Sequence, residues 1–169
     1  IGMGAIGSEV ARLAAAIGFE VTGLRRRVVG NEPVTTWGAD RLDELLGWAD
    51  AIVLATPLTE STRRLFDAAA FGAMPRGAWF VNVGRGEAVD EPSLIDALRS
   101  GHLGGAALDV FATEPLPDDD PLWDAPNLII TAHCSGATER SLRRADDIFL
   151  DNLGRWRDGR PLVNTMSST

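Results

Sequence analysis

Three groups of residues have the types and spacing to do chemistry. Gly2-Met-Gly4-Ala-Ile-Gly7 fits the pattern G-x-G-x-x-G. There the first glycine permits a tight turn and the second lets backbone approach a pyrophosphate. The third lets a helix pack close, so that its N-terminal N–H groups face the anion. Gly2, Gly4 and Gly7, with Ala5 and Ile6 between them, are therefore candidate dinucleotide ligands. About 20 residues on, NAD-binding chains usually place an acidic residue for the ribose 2′-hydroxyl; here the sequence reads Arg25-Arg26-Arg27. Guanidinium groups pair bidentately with a 2′-phosphate that a carboxylate would repel, so Arg25 and Arg26 point to NADP(H). A solvated run of surface arginines is the competing reading, and the residues alone leave both open. In the third group, Arg85 lies between Gly84 and Gly86 at a strand end, and His133 closes an apolar strand. A guanidinium fork suits a carboxylate, and imidazole is the side chain whose proton moves most readily near neutral pH.

Positioning these groups needs strands that alternate with helices. Ile6, Val10, Leu13, Ala14 and Ile17 repeat at helical spacing, and Gly18 stops that helix. Residues 20–24 read as a strand, 41–48 as a short amphipathic helix, and 51–55 as a buried strand broken by Pro57. Further helices are expected at 66–71, 91–100 and 136 to about 156, and further strands at 79–83, 105–109 and 128–131. The alternation predicts an α/β fold with a Rossmann-type doubly wound parallel sheet. The strand due before Gly2 is central in such a sheet, and Ile1 is all the sequence shows of it. The first strand is thus largely missing, and because unpaired core strands are costly, the chain is expected to be part of a longer polypeptide. Residues 1–134 are expected to form the N-terminally truncated nucleotide-binding domain, and residues 135–169 a C-terminal helix and tail.

Composition narrows the function classes. The 169 residues carry a net charge of −8, which argues against a non-specific nucleic-acid binder. With 45% hydrophobic and 24% charged residues the chain can fill a core. No apolar run approaches the ~20 residues of a membrane helix. One cysteine and two histidines leave no disulfide framework and too few soft ligands for a structural zinc site, so no metal is expected and the setting is read as cytoplasmic. Asp118-Asp119-Asp120 reads as a solvated face, His102 as a satisfied structural histidine, and Cys134 as a small packing residue.

Three later segments make the reading specific: Val81-Asn-Val-Gly-Arg85-Gly-Glu-Ala-Val-Asp90, Leu108-Asp-Val-Phe-Ala-Thr-Glu114-Pro115 and Thr131-Ala-His133-Cys-Ser-Gly136-Ala-Thr138. In order and spacing they resemble the D-isomer-specific 2-hydroxyacid dehydrogenases, including the phosphoglycerate, glyoxylate and hydroxypyruvate enzymes. Thr56-Pro57-Leu58-Thr59 with Thr62 matches another family segment, and the resemblance runs from Gly2 to about Asn164. It implies hydride transfer between NAD(P)H and a small 2-oxo or 2-hydroxy acid, glyoxylate or hydroxypyruvate favoured, and the arginines after the second strand make NADP(H) the preferred cofactor. By the same resemblance Arg85, Glu114 and His133 are the catalytic three. Arg85 would hold the substrate carboxylate, His133 would donate the proton, and Glu114 would orient the imidazole and favour its charged form. Thr56, Pro57, Val83, Gly84, Arg85, Asp109, His133, Ser135 and Gly136 resemble positions around the cofactor. Family members are usually homodimers and carry a second, substrate-covering domain built mainly from residues upstream of the glycine loop; that domain is mostly absent here. Ala132 departs from the family, which usually has proline there. The alternatives are a dinucleotide-sensing corepressor-like protein, as some relatives are, or a cofactor domain inactive by itself.

Overall fold

The computed structural model describes residues 1–165, apart from the side chain of Leu142. They fall into two compact units, Ile1–Ala132 and a second that begins at His133. Every strand pairing in the first unit is parallel. β1 (Gly23–Arg25) pairs with β2 (Thr36–Gly38), and β3 (Ala51–Leu54), β4 (Trp79–Asn82), β5 (Gly105–Leu108) and β6 (Leu128–Ile130) form a four-stranded sheet in that order. The register aligns Leu54, Asn82, Leu108 and Ile130 across four strands. The carboxyl edge is consequently flush, and the ladder continues one residue further through Val83, Asp109 and Thr131.

Ile1 and Gly2 hold the expected central place. Ile1 N donates to Val53 O at 2.7 Å, Ala55 N to Ile1 O at 2.8 Å, and Gly2 N to Leu24 O at 2.8 Å. Residues 20–22, expected as strand, are unpaired. With Ala51–Val53 and Met3 they border an apolar cavity of about 260 Å³ in line with that gap.

Side-chain alternation explains the core. Ile52, Leu54, Phe80, Ala106 and Leu108 are buried on one face of the four-stranded sheet, under α2 (Leu42–Trp48), α3 (Ala68–Ala73) and α4 (Glu91–Arg99). Trp79 and Ile129, on the alternate positions, are exposed. Phe66, Phe71 and Phe80 form the centre, with ring centroids 4.6 to 5.6 Å apart and an edge-to-face pair between Phe71 and Phe80.

Caps explain the element boundaries that the sequence reading misplaced. The Asp67 carboxylate accepts from the Ala69 and Ala70 N–H groups, so α3 starts two residues later than expected, and Phe66 instead bridges Val89. Thr138 and Ser141 form a reciprocal capping box, which starts α5 at Glu139 rather than Gly136. That helix, Glu139–Arg157, holds the segment after it through Asn152, whose side chain bonds both N and O of Val163. β2 was not foreseen, since Thr-Trp-Gly shows no alternation to read. The helix after the glycines, α1 (Ala5–Ala16), forms as expected, but only Ala11 of it is fully buried; Ile6, Leu13 and Ile17 are exposed. Among the described residues no helix is long and apolar enough to cross a membrane.

Candidate functional site

The glycine loop is shaped as its spacing predicts. Gly2 adopts φ +93°, a conformation L side chains rarely reach, and a Cβ there would press on the Ala55 carbonyl and Thr56. A Cβ at Gly7 would strike the carbonyl oxygen of Gly2, so the third glycine is what lets α1 close onto the loop. A Cβ at Gly4, by contrast, would meet no residue beyond its own turn within 4 Å among the described residues. Gly4 is also the N-cap of α1, and neither a side-chain cap nor a first-turn carboxylate competes for the helix N-terminus at Ala5 and Ile6. The helix therefore offers an uncommitted set of N–H donors.

That N-terminus opens on a cleft of about 580 Å³. Gly2, Gly4, Arg25, Arg26, Arg27, Thr56 and Pro57 all line it, so the structure brings these candidate cofactor residues to one cleft. Thr56 places a buried hydroxyl there that has no hydrogen-bond partner among the described residues. Thr62 secures the far wall: its hydroxyl donates to Pro57 O at 2.8 Å and accepts from Thr59 N at 2.8 Å. An orphaned hydroxyl, free helix N–H groups, open space over Gly4 and a cationic rim fit a phosphate-bearing dinucleotide.

The arginines are not equivalent. Arg25 Nη1 donates to Glu32 Oε1 at 3.0 Å, and the two oxygens of Glu32 also accept from Val29 N and Gly30 N at 2.8 Å each. The side chain of Glu32 is 5% exposed. The Val29 N–H, with further backbone N–H groups and Arg25, holds this carboxyl below its ordinary range against the opposing effect of burial. Among the described residues Arg26 and Arg27 hold no ion pair, and both are exposed.

At the carboxyl edge of the sheet, Arg85 stands exposed on a tightly held turn. Fully buried Asn82 anchors it: Asn82 Nδ2 donates to Arg85 O at 3.0 Å, and Asn82 Oδ1 accepts from Gly84 N at 3.0 Å. Gly84 abuts the backbone of Thr56, where a Cβ would come within 2.7 Å of the carbonyl oxygen. Gly86 lies so close to Phe111 that a Cβ would overlap its carbonyl carbon. The Arg85 turn is thus wedged between the cleft wall and the segment that carries Glu114. Glu114 is exposed, and its Oε1 accepts from Phe111 N at 3.0 Å. Glu91, the first residue of α4, accepts from Ala112 N at 2.8 Å and secures the same segment. Burial raises the Glu91 carboxyl above its ordinary range, the Ala112 N–H opposes this, and the charges of Asp120, Asp90 and Glu87 add to it.

Asp109 is buried and accepts from the Thr131 hydroxyl at 2.6 Å, tying the ends of β5 and β6. His133, two residues beyond Thr131, opens the second unit with φ +50°. Ser135 and Gly136 follow it in a turn closed by Ala137 N on Cys134 O and by the Ser141 hydroxyl on Gly136 O. His102 Nε2 lies 3.0 Å from both Phe71 O and Met74 O, in keeping with a satisfied structural histidine. Asp120 of the acidic run caps the turn Pro121–Asp124. Sequence reasoning missed Asn82, Glu91 and Glu32. A polar residue ending the apolar run Trp79-Phe-Val was the available signal for Asn82.

Residues 1–135 match the family described as D-isomer specific 2-hydroxyacid dehydrogenase, NAD binding domain. The chain is 42% identical over 157 residues to glyoxylate/hydroxypyruvate reductase B of Citrobacter koseri, a match covering 90% of this chain and 48% of that protein. It is 41% identical over 157 residues to the (S)-sulfolactate dehydrogenase of Chromohalobacter salexigens, covering 92% and 51%. A D-isomer specific 2-hydroxyacid dehydrogenase from Xanthobacter autotrophicus, solved with NADPH and MES, superposes with a TM-score of 0.90 at 39% identity over 98% of this chain and 52% of that one. The NADPH-dependent glyoxylate/hydroxypyruvate reductase of Sinorhizobium meliloti, solved with NADP and sulfate, gives 0.90 at 38%, covering 98% and 54%. The chain thus spans about half the length of these relatives. With its glycine cradle, its cleft and its flush carboxyl edge, it belongs to the D-isomer-specific 2-hydroxyacid dehydrogenase family, whose NAD-binding domain it carries.

Proposed function

We propose that the protein carrying this chain is an NAD(P)-dependent oxidoreductase that reduces a small 2-oxo acid to the D-2-hydroxy acid, with NADP(H) preferred and glyoxylate or hydroxypyruvate the favoured substrate. The observation that carries this reading is the Arg85 turn, wedged by Gly84 against the wall of the nucleotide cleft and by Gly86 against the Glu114 segment. The Citrobacter and Sinorhizobium relatives, both named for glyoxylate and hydroxypyruvate, support the substrate class.

Gly2, Gly4, Ala5, Ile6 and Gly7 would hold the pyrophosphate, Arg25 and Arg26 the ribose end, and Thr56, Pro57, Val83, Gly84 and Asp109 the nicotinamide side. When bound, the reduced nicotinamide supplies the hydride. Arg85 binds the substrate carboxylate with its fork and draws electron density from the neighbouring carbonyl. By the family resemblance His133 would give its proton to the oxygen as the alkoxide develops, with Glu114 as the residue that orients it. Ser135 and Gly136 would contribute backbone to the cofactor side of that turn. Residues 135–169 lead back toward a substrate-covering domain, and a cytoplasmic homodimer completes the reading.

Following oxidation of NADPH and of NADH by glyoxylate and hydroxypyruvate on the full-length protein tests it. Turnover faster with NADPH is expected, and His133→Ala should cut it by at least about a hundredfold while NADPH binding persists. Equal rates with both cofactors would remove the NADP preference. Absence of turnover with any 2-oxo acid would favour the dinucleotide-sensing alternative, and full turnover by His133→Ala would remove the acid–base assignment.

A further inference from the structure

Arg25 ends β1, and the segment from there to β2 starts with the other two cleft arginines, Arg26 and Arg27, and has no regular structure of its own from Arg26 to Thr35. One side chain organises it. Glu32 gathers three donors, Arg25 Nη1, Val29 N and Gly30 N, on its two oxygens. Gly30, with φ +85°, supplies the left-handed residue that this turn needs. A carboxylate beside a phosphate site would ordinarily repel the ligand. This one is almost fully covered, neutralised by Arg25 and bonded to two amides, so it presents little charge to the cleft. Its grip also commits Arg25: a guanidinium already paired at 3.0 Å gives up that pair before it binds anything else. Arg26 and Arg27, exposed on the cleft rim, hold no ion pair among the described residues.

We propose that Glu32 determines cofactor specificity by position: it withdraws Arg25 into a structural pair and fixes the turn so that Arg26 and Arg27 supply the charge a 2′-phosphate meets. This rests on the NADP(H) reading above and sharpens it, moving the phosphate contact from Arg25 to its two neighbours.

Titrating the full-length protein with NADPH, with NADH and with 2′,5′-ADP tests the proposal. Glu32→Ala should weaken NADPH and 2′,5′-ADP about tenfold, the loss of one charge-assisted contact, while NADH moves less than about twofold. Arg26→Ala should produce the same selective loss. Glu32→Gln keeps the shape and one amide acceptor, and should fall between Glu32→Ala and the native protein. A Glu32→Ala protein that loses both cofactors equally has been damaged in its fold; the Gln variant then decides, and an unchanged NADPH-to-NADH ratio in it overturns the proposal. Tighter NADPH binding by Glu32→Ala, as a released Arg25 would give, also overturns it. A native protein that binds both cofactors equally refutes the cofactor reading and this inference together. A native preference that survives every Glu32 variant refutes this inference alone.

Discussion

At the scale of single residues, the candidates for chemistry were legible and the groups that hold them were not. Gly2, Gly4, Gly7, Arg85 and His133 announce themselves by type and spacing. Asn82, Glu91 and Glu32 act through side-chain bonds to backbone that the fold brings near. Glu91 meets Ala112 across 21 residues, and nothing in the spacing encodes that meeting. Glu91 also carries a pH signature. Burial favours its neutral form, so the folded carboxyl titrates above the unfolded value of about 4.3. The stability tied to that proton is complete below the unfolded value and is lost as pH rises through the folded one. Glu91→Gln keeps an acceptor for the Ala112 N–H and cannot ionise. Its stability relative to the native protein should therefore climb between about pH 4 and neutrality and then level off. Denaturant midpoints measured across that range check the sign; a flat difference would show that the carboxyl is not desolvated.

Among the elements, the helices and the four strands β3–β6 were read well, while β1 was placed early and β2 was missed, for a physical reason. α1 and α4 are marked by period and by stop signals, whereas three-residue strands such as Thr36–Gly38 are defined by the neighbour they pair with. Boundaries moved wherever a cap decided them, as Asp67 does for α3 and the Thr138–Ser141 box does for α5. The 3-10 turn Gly86–Ala88 after β4 is the element on which the Arg85 reading depends. Its glycine packs against Phe111 with no room for a methyl group, and the clash is with backbone rather than a flexible side chain. Gly86→Ala should accordingly lower stability by about 1–3 kcal/mol, the range for overpacking. It should also reduce kcat/KM for the 2-oxo acid by more than that stability loss explains, because Arg85 and Glu114 are pushed apart. Thermal unfolding and steady-state kinetics on one preparation separate the two effects. A variant with native kinetics would show that the close approach only packs the core.

At the scale of the whole molecule, the first unit is a sheet in two parts. β1–β2 and β3–β6 meet through Ile1 and Gly2, with three hydrogen bonds of 2.7 to 2.8 Å spanning the join and an apolar cavity beside it. Parts joined so narrowly are expected to open separately, each with its own free energy. The smaller part holds the arginines and the larger holds Thr56 and Pro57, yet both wall the same cleft. A dinucleotide lying there is a strap across a seam. It stabilises only states in which both parts are closed, by an amount that grows with the logarithm of its concentration over Kd. Without nucleotide, amide protons of Leu24 and Arg25 should exchange faster than those of Phe80 and Ala106; at saturating NADPH the gap should narrow. Hydrogen exchange read strand by strand measures this directly, and equal protection in both states would show that the sheet already opens as one piece. Where it opens in two, occupancy by cofactor sets the lifetime of the sheet as well as the readiness of the site.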